Sequence, residues 1–349
     1  MNKTNRRCFI AGGIGSLCAL SQLPAQEEDR TKAAKLITPA TKTAINQGLQ
    51  YIAAKQIKQG RVKGAFGVSG YQANTAVSAL AGMAFMANGS TPGRGPYGKH
   101  INDCIDYLVA NTQEGGFVAV PGSSTHGPMY GHGFATLFLA EVYGMTANDE
   151  VREKLQAAIK LIIDTQNADG GWRYEPQRNE ADLSVTVCQM MALRAARNAG
   201  LYVPNETVER CIDYVKRSQN GDGGFMYMLN GGASAFPRSA AGVVALYSAG
   251  IYKGTEIEVG LNYLVNNIPQ NQGFRGNSHF FYGQYYAAQA FYHAGGSHWN
   301  RYYPSMRDFL LERQATDGSW RDSICDEYGT AMACIVLQMP NNYLPIFQK

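Results

Sequence analysis

A glutamine, a glycine-containing turn and an aromatic residue recur along the chain at a nearly constant spacing. The fullest copy begins with a helical run at Phe309 and contains Gln314, Asp317, Gly318 and Trp320. The glutamines at 113, 166, 219 and 272 are 53 residues apart, and the last step, to 314, is 42. A repeat of this period indicates that one supersecondary unit is stacked several times, which decides the architecture.

Each residue type of the repeated unit has a physical task in stacking. Glycine ends the incoming helix because it adopts a positive φ without a steric penalty, and aspartate or asparagine favours the turn that follows. The tryptophan or phenylalanine supplies an apolar surface that pins the turn onto the helix ends. The glutamine side chain can tie the turn to a neighbouring repeat. We therefore interpret the copies as structural rather than catalytic.

Two kinds of helical segment alternate between these turns. One kind is amphipathic, as in Val151, Leu155, Ala158 and Ile162, which follow the helical period with charged residues between them. The other kind is low in charge on every side, which indicates burial on every side. The amphipathic segments are 40–57, 99–112, 148–166, 205–219, 255–268 and 301–314, and the apolar ones are 71–88, 129–145, 182–200, 236–250, 280–295 and 326–339.

This alternation predicts an all-α protein in which six outer and six inner helices form two concentric rings, an (α/α)6 toroid. An open solenoid of helical hairpins is the alternative. The repeat resembles that of squalene and hopene cyclases and of protein prenyltransferase β subunits: the run from Phe309 to Trp320 matches fully, and those beginning at Leu161 and Tyr214 nearly so. The resemblance covers most of the chain after about residue 40 and implies a closed toroid.

The first 25 residues are typical of a targeting segment. Arg6 and Arg7 precede Phe9 in a pattern that resembles a twin-arginine signal, with an ordinary secretory signal as the alternative. The apolar run that follows is too short to span a membrane. We therefore expect an exported protein, periplasmic or extracellular, with a linker over 26–38 and the toroid over 39–349.

The net charge of +4 is small and scattered, and the sequence has no nucleic-acid motif, so a nucleic-acid partner is not expected.

The loops that lead from an outer to an inner helix are the longer ones, for example 115–128 and 223–235. Because the inner helices run parallel, these loops and six helix N-termini gather at one end. Long loops on a rigid scaffold commonly carry function, helix N-termini favour anionic groups, and a central aromatic cavity suits an apolar ligand.

The segment that opens the third inner helix holds the strongest site candidates: Arg173, Tyr174, Glu175, Asp182 and Ser184. In terpenoid cyclases the matching place carries an Asp-x-Asp-Asp run whose central aspartate protonates the substrate. The resemblance puts Asp182 at the first aspartate and Ser184 at the central one, so the cyclase acid is not matched. We take Asp182 as a catalytic candidate and the other four as ligand-binding candidates. Helix capping is the alternative for Asp182 and Ser184.

His132, near the start of the second inner helix, and His279, before the fifth, are further catalytic candidates. A histidine that meets an acid in a central cavity can transfer protons. Tyr130, Tyr282 and Tyr285 are ligand-binding candidates on the same two helices. The alternatives are a hydrogen-bonded rim histidine and a core tyrosine.

The prenyltransferase resemblance would imply a zinc site built from Asp, Cys and a later His. Asp322 and Cys325 are spaced differently and no histidine follows them, so we expect no metal and no cofactor. The five cysteines after residue 25 include no CxxC and mostly fall on apolar helical faces, as small hydrophobic residues.

These features favour a terpenoid cyclase- or prenyltransferase-like repeat protein with a central cavity for a hydrophobic small molecule, isoprenoid or lipid-like. Whether it is an enzyme stays open, since neither the cyclase acid nor the zinc set is matched. A non-catalytic binding protein of the cell envelope is one alternative. A polysaccharide-processing toroid is another, and it would need two carboxylates and an arginine at the cavity mouth, for which Arg173, Glu175, Glu180 and Asp182 are available.

Overall fold

The computed structural model describes residues 35–121, 126–146, 149–269 and 279–348, and within these ranges it contains twelve α-helices and no β-strand. The predicted signal segment, 1–25, lies outside the described residues, as does most of the predicted linker. The helices are α1 Pro39–Lys55, α2 Thr75–Ala87, α3 Gly98–Ala110, α4 Pro128–Tyr143, α5 Asp149–Thr165, α6 Leu183–Asn198, α7 Asn205–Arg217, α8 Phe236–Ser248, α9 Thr255–Asn267, α10 Phe280–Ala294, α11 Gly296–Glu312 and α12 Asp326–Gln338. Three short 3-10 helices are Ser69–Tyr71, Met339–Asn341 and Pro345–Phe347.

The even-numbered helices form an inner ring and the odd-numbered helices an outer ring. Each inner helix packs against the inner helices before and after it, and α12 packs against α2, so the inner ring closes. The outer ring closes where α11 contacts α1. The predicted (α/α)6 toroid is confirmed, and an open solenoid is excluded because its first and last repeats would not meet.

The predicted helical segments agree with the observed helices to within two residues at each end, except at the starts of α2 and α11. The segment predicted from residue 71 begins as α2 at Thr75, and residue 71 belongs to the 3-10 helix Ser69–Tyr71. We expected the last outer helix to begin at about residue 301, but it begins at Gly296, directly after α10. Gly295 and Gly296 both have positive φ, 68° and 52°, so the chain reverses between two helices without a loop. The apolar segment was expected to end at Gly295, because glycine commonly ends helices. A new helix at the very next residue was not expected.

The repeated glutamine ties its turn to the next outer helix, as predicted, at Gln166, Gln219 and Gln314. The predicted copy at Gln272 lies outside the described residues. Gln166 Nε2 donates to the carbonyl of Gly170 in its own turn and to that of Thr207 on α7, both at 2.9 Å. Gln314 donates in the same way to Gly318 and to Ala44 on α1, which joins the last repeat to the first. Buried carbonyls at two helix ends are thereby satisfied.

The structure corrects the register of one copy and adds another. Gly116, with a φ of 86°, lies four residues after Thr112, as Gly170 lies four after Gln166, so Thr112 and not Gln113 is the equivalent position. Gln56 is a copy that the fixed spacing did not identify. Its Nε2 donates to Gly64 and to His100 on α3.

The C-terminal 3-10 helix Pro345–Phe347 packs against α6 at the end where the inner helices finish. The buried Glu141 accepts a hydrogen bond there from the Ile346 N–H, at 3.3 Å. Arg194 Nη2 donates to the carbonyl of Gln348, at 2.6 Å. Burial raises the pKa of Glu141 to about 7, although the Ile346 N–H and the charge of Arg194 act in the opposite direction.

Glu141 should make the stability of the toroid fall as the pH rises. Its folded-state pKa is above the unfolded value, so its contribution is complete below about pH 4.5 and is lost as the pH passes through about 7. Glu141→Gln should therefore be about as stable as the wild type in acid and more stable by about 2 to 3 kcal/mol at about pH 8. Urea unfolding across this range measures the difference, with Glu209→Gln on the exposed face of α7 as control. An equal difference at both pH values would contradict the expectation.

Candidate functional site

A cavity of about 560 Å³ lies at the end of the toroid where the inner helices begin. Every inner helix, or the loop before it, contributes to its wall. The aromatic lining residues are Tyr71, Tyr130, Phe134, Tyr174, Tyr227, Tyr282 and Tyr328, and the polar side chains are Asn74, His126, Ser184, Arg238 and His279. No aspartate or glutamate lines it within the described ranges.

Two histidines from opposite sides of the ring meet over the cavity. His126 precedes α4 and His279 precedes α10, yet their ring centroids are 6.3 Å apart and the rings meet edge to face. The Tyr71 hydroxyl lies 2.5 Å from His126 Nδ1. Burial and the neighbouring His126 lower the pKa of His279, whereas Asp322 raises it. His279 itself has a left-handed φ of 69°, a conformation that costs a non-glycine residue free energy.

Hydrogen-bonded and stacked tyrosines form one wall of the cavity. The hydroxyl oxygens of Tyr174 and Tyr227 are 2.5 Å apart. The Tyr130 ring contacts those of Tyr174 and Tyr282, at centroid distances of 6.2 and 6.4 Å. Burial raises the pKa of Tyr130 and Tyr282 well above the ordinary value. These phenols are therefore neutral at physiological pH and act through hydrogen bonds rather than charge.

Asp182 lies next to this wall but does not line the cavity. It caps α6, because its Oδ1 accepts the Val185 N–H at 2.9 Å. The side chain is fully buried, and among the described residues Oδ2 has no hydrogen-bond partner. Burial raises the pKa of Asp182 to about 6, whereas the Val185 N–H, the charge of Arg173 and the Tyr227 hydroxyl lower it.

The other candidates from this segment are separated by the fold. Ser184 lines the cavity, and its carbonyl accepts the Tyr282 hydroxyl at 3.2 Å. Arg173 forms an ion pair with the exposed Glu180 and lies over the ring of Tyr174, outside the lining. Glu175 is exposed to solvent. The arrangement of two carboxylates and one arginine at the cavity mouth is therefore not assembled from these residues.

His132 lies away from the cavity, fully buried between α4 and the outer ring. Its Nδ1 accepts the Val118 N–H and its Nε2 donates to the carbonyl of Ala158, both at 3.2 Å, which fixes the tautomer. Burial lowers the pKa of His132 to about 4, so the imidazole is neutral. In other repeats Thr186 and Ser239 accept the corresponding backbone N–H. The geometry assigns His132 to repeat packing.

Tyr285 is also separated from the cavity. It is fully buried deeper in the ring, where its ring contacts Phe134, Tyr286 and Phe347 at centroid distances of 6.0, 4.9 and 6.4 Å. The predicted ligand-binding residues that do line the cavity are Tyr130, Tyr174, Ser184 and Tyr282.

Arg238 is a cavity residue that sequence reasoning missed. Its Nε donates to the carbonyl of Phe225 at 2.9 Å, and burial lowers its pKa. A signal for it existed, because Arg238 is the one charged residue in the apolar segment 236–250. Tyr227 was missed because it belongs to the loop after the repeat aromatic, where periodicity carries no information.

Within the described ranges no three His, Cys, Asp or Glu side chains are arranged to hold a metal ion, and no helix has the length and apolarity to cross a membrane. The five cysteines there are buried and unpaired. Burial raises the pKa of Cys188 and Cys211 to about 12, so these thiols are not reactive nucleophiles.

Several solved structures share this fold at low sequence identity. A type II terpene cyclase from Scytonema, in complex with its substrate geranylgeranyl dihydroxybenzoate, is 13% identical with a TM-score of 0.58, covering 87% of this chain and 98% of the cyclase. An α-1,6-mannanase from Salegentibacter, in complex with α-1,6-mannotriose, is 9% identical with a TM-score of 0.61, covering 86% and 99%. The cellobiose 2-epimerase of Bacillus thermoamylovorans is 13% identical with a TM-score of 0.62, covering 86% and 100%.

These identities show a shared fold and do not by themselves transfer an activity. No curated protein sequence matches the chain. The family model for the prenyltransferase alpha-alpha toroid domain matches residues 2–279, which is well over half of the sequence. The repeat, the two closed rings and this match agree, and the chain belongs to the prenyltransferase α/α toroid family.

Proposed function

We propose that the protein binds an isoprenoid or similarly apolar small molecule in the central cavity. The observation that carries this proposal is the aromatic lining, in which the described residues supply six tyrosines and a phenylalanine but no carboxylate. The volume of about 560 Å³ falls within the range typical of small-molecule sites. The isoprenoid substrate of the Scytonema cyclase supports the same ligand class.

The lining favours binding over cyclisation of an alkene. Ser184 lies on the cavity wall at the position where the resemblance puts the protonating aspartate. A serine hydroxyl is far too weak an acid for that step. Asp182 caps α6 and is buried outside the lining. Any proton chemistry in the cavity would therefore fall to weaker acids, and it would need a more basic substrate than an unactivated alkene.

Carbohydrate processing is less well supported, although two of the structural neighbours act on sugars by name. Glycoside hydrolysis commonly uses two carboxylates that flank the bond to be cleaved. Here Glu175 is exposed and Glu180 pairs with Arg173 at the surface.

Export through a twin-arginine signal remains part of our proposal, and a reporter fused after residue 38 would test it.

The first test is native mass spectrometry of the purified protein, followed by denaturing extraction and lipid analysis. A co-purifying isoprenoid or other lipid would support the cavity and name the ligand. If nothing co-purifies, added geranylgeraniol serves as the probe, and binding is followed by quenching of tryptophan fluorescence. Failure of geranylgeraniol and of matched lipids to bind would overturn the proposal, and glycan binding would be tested next.

Filling the cavity should remove ligand binding without unfolding the protein. Ser184→Phe puts a phenyl ring into the cavity from the first turn of α6 and should weaken geranylgeraniol binding by at least about tenfold, or 1.4 kcal/mol. Ser305→Phe adds the same ring on the exposed face of α11 and should leave the affinity unchanged. Equal affinities of the two variants would place the ligand elsewhere, and thermal unfolding confirms that both are folded.

A further inference from the structure

We propose that Asp182, Tyr227 and Tyr174 form a hydrogen-bonded relay that anchors the oxygen atom of an oxygenated isoprenoid, binding a carbonyl only when Asp182 is neutral and a hydroxyl group in both protonation states. This proposal rests on the proposed function, because it identifies the polar group that the apolar ligand carries. It gives the buried carboxyl group of Asp182 a role beyond capping α6.

The relay begins at an oxygen atom that the cap does not use. Oδ1 of Asp182 accepts the Val185 N–H, whereas Oδ2 is buried and has no hydrogen-bond partner among the described residues. A buried carboxyl oxygen without a partner is costly. Tyr227 lies beside this group: its carbonyl accepts the Leu183 N–H at 2.9 Å, and its hydroxyl is near enough to lower the pKa of Asp182. In the proposed relay, that phenol forms the hydrogen bond to Oδ2.

The relay ends in the cavity. The Tyr227 and Tyr174 hydroxyls are 2.5 Å apart, so one donates to the other, and both residues line the cavity. Each phenol has one hydrogen to donate and can also accept. The direction in which the first hydrogen bond runs therefore sets the direction of the second.

The protonation state of Asp182 reverses this direction. When the carboxyl group is neutral, Oδ2–H donates to Tyr227, Tyr227 donates to Tyr174, and the Tyr174 hydrogen is left to donate to a ligand carbonyl. When the carboxyl group is ionised, it accepts from Tyr227, which accepts from Tyr174, and the Tyr174 oxygen is left to accept from a ligand hydroxyl. No proton leaves the protein in either arrangement apart from the one that Asp182 releases to solvent.

The reversal of the hydrogen bonds falls in an accessible pH range because burial raises the pKa of Asp182 to about 6. The ionisable groups that act on Asp182, or on which it acts, come from several elements. They are Arg173 before α6, Cys188 on α6, Tyr214 on α7, Tyr227 before α8, Tyr130 on α4 and Tyr282 on α10. Of these, Arg173 carries the opposing charge.

Two probes that differ in their oxygen group test the relay: the alcohol geranylgeraniol and the ketone farnesylacetone. In the wild type, raising the pH from about 5 to about 8 should weaken ketone binding by about three- to tenfold, which is the worth of one hydrogen bond. Alcohol binding should change little, because a hydroxyl group can accept from Tyr174 at low pH and donate to it at high pH. Asp182→Asn keeps an oxygen for the cap and a fixed donor toward Tyr227. This variant should bind the ketone with the same affinity at both pH values. It should also lose the preference for the alcohol that the wild type shows at high pH.

Tyr227→Phe breaks the relay and should remove the difference between the pH responses of the two probes. Tyr303→Phe is the matched control, because Tyr303 is also a buried tyrosine whose hydroxyl donates to a backbone carbonyl, that of Leu337 at 2.7 Å, but it does not line the cavity. It should keep the fall in ketone affinity as the pH rises. Binding of both probes with the same pH response in wild type, Asp182→Asn and Tyr227→Phe would overturn the relay and leave the proposed function intact. No binding of either probe would overturn the proposed function itself.

Discussion

Replacing Trp320 with alanine should lower the free energy of unfolding by about 3 to 5 kcal/mol, the range measured for large aromatic residues in packed cores. Trp320 is fully buried, and its indole N–H donates to the carbonyl of Leu310 at 2.8 Å. Its ring also lies against Gly48 of α1 so closely that a Cβ there would come within 2.8 Å of it. The ring of Trp320 therefore joins the last repeat to the first, and its removal leaves a cavity at the seam of the toroid.

Urea unfolding followed by circular dichroism measures this loss. Trp320→Phe keeps an apolar ring but loses the indole hydrogen bond, so it should fall between the wild type and Trp320→Ala. Tyr202→Ala is the control, since Tyr202 is 83% exposed and its removal should change the stability by less than about 0.5 kcal/mol. A loss of less than about 1.5 kcal/mol for Trp320→Ala would show that the seam between the first and last repeats contributes little.

The fold could be predicted from the sequence because its determinants are local and repeated. Charge-poor helices such as α8 and α10 must be buried on every side, and amphipathic ones such as α7 must cover them. The register of the second repeat was misread because Thr112 replaces the glutamine and a neighbouring Gln113 imitates it. Ring closure followed from the family resemblance, since no local pattern distinguishes a closed ring from an open one.

The candidate site was predicted less completely, because side-chain direction depends on tertiary packing. Tyr130 and His132 are two residues apart on α4, yet Tyr130 lines the cavity and His132 faces the outer ring. Asp182 and Ser184 are separated in the same way at the start of α6. A spacing of two residues places side chains on different faces of a helix, and the sequence does not say which face is the inner one.

Gly223→Ala should be strongly destabilising and Gly221→Ala nearly neutral, although the two glycines lie in one turn. Gly223 has a φ of 85°, a conformation that costs other residues about 1 to 2 kcal/mol. A Cβ there would also lie 2.4 Å from the carbonyl oxygen of Val259, which belongs to the backbone of α9 and cannot rotate away. Displacing that helix end adds about 1 to 3 kcal/mol, so the total loss should be about 2 to 5 kcal/mol.

Gly221→Ala is the control for the destabilisation by Gly223→Ala, because a Cβ at position 221 would meet nothing within 4 Å. The comparison therefore keeps the substitution and the turn constant and changes only the contact and the φ angle. Urea unfolding of both variants measures the difference, and a Gly223→Asn variant, which tolerates positive φ better than alanine, separates backbone strain from the clash. If Gly223→Asn recovers most of the stability, strain dominates. If Gly223→Asn is as unstable as Gly223→Ala, the clash with α9 dominates. Equal stability of Gly221→Ala and Gly223→Ala would contradict the close packing of this turn on the next repeat.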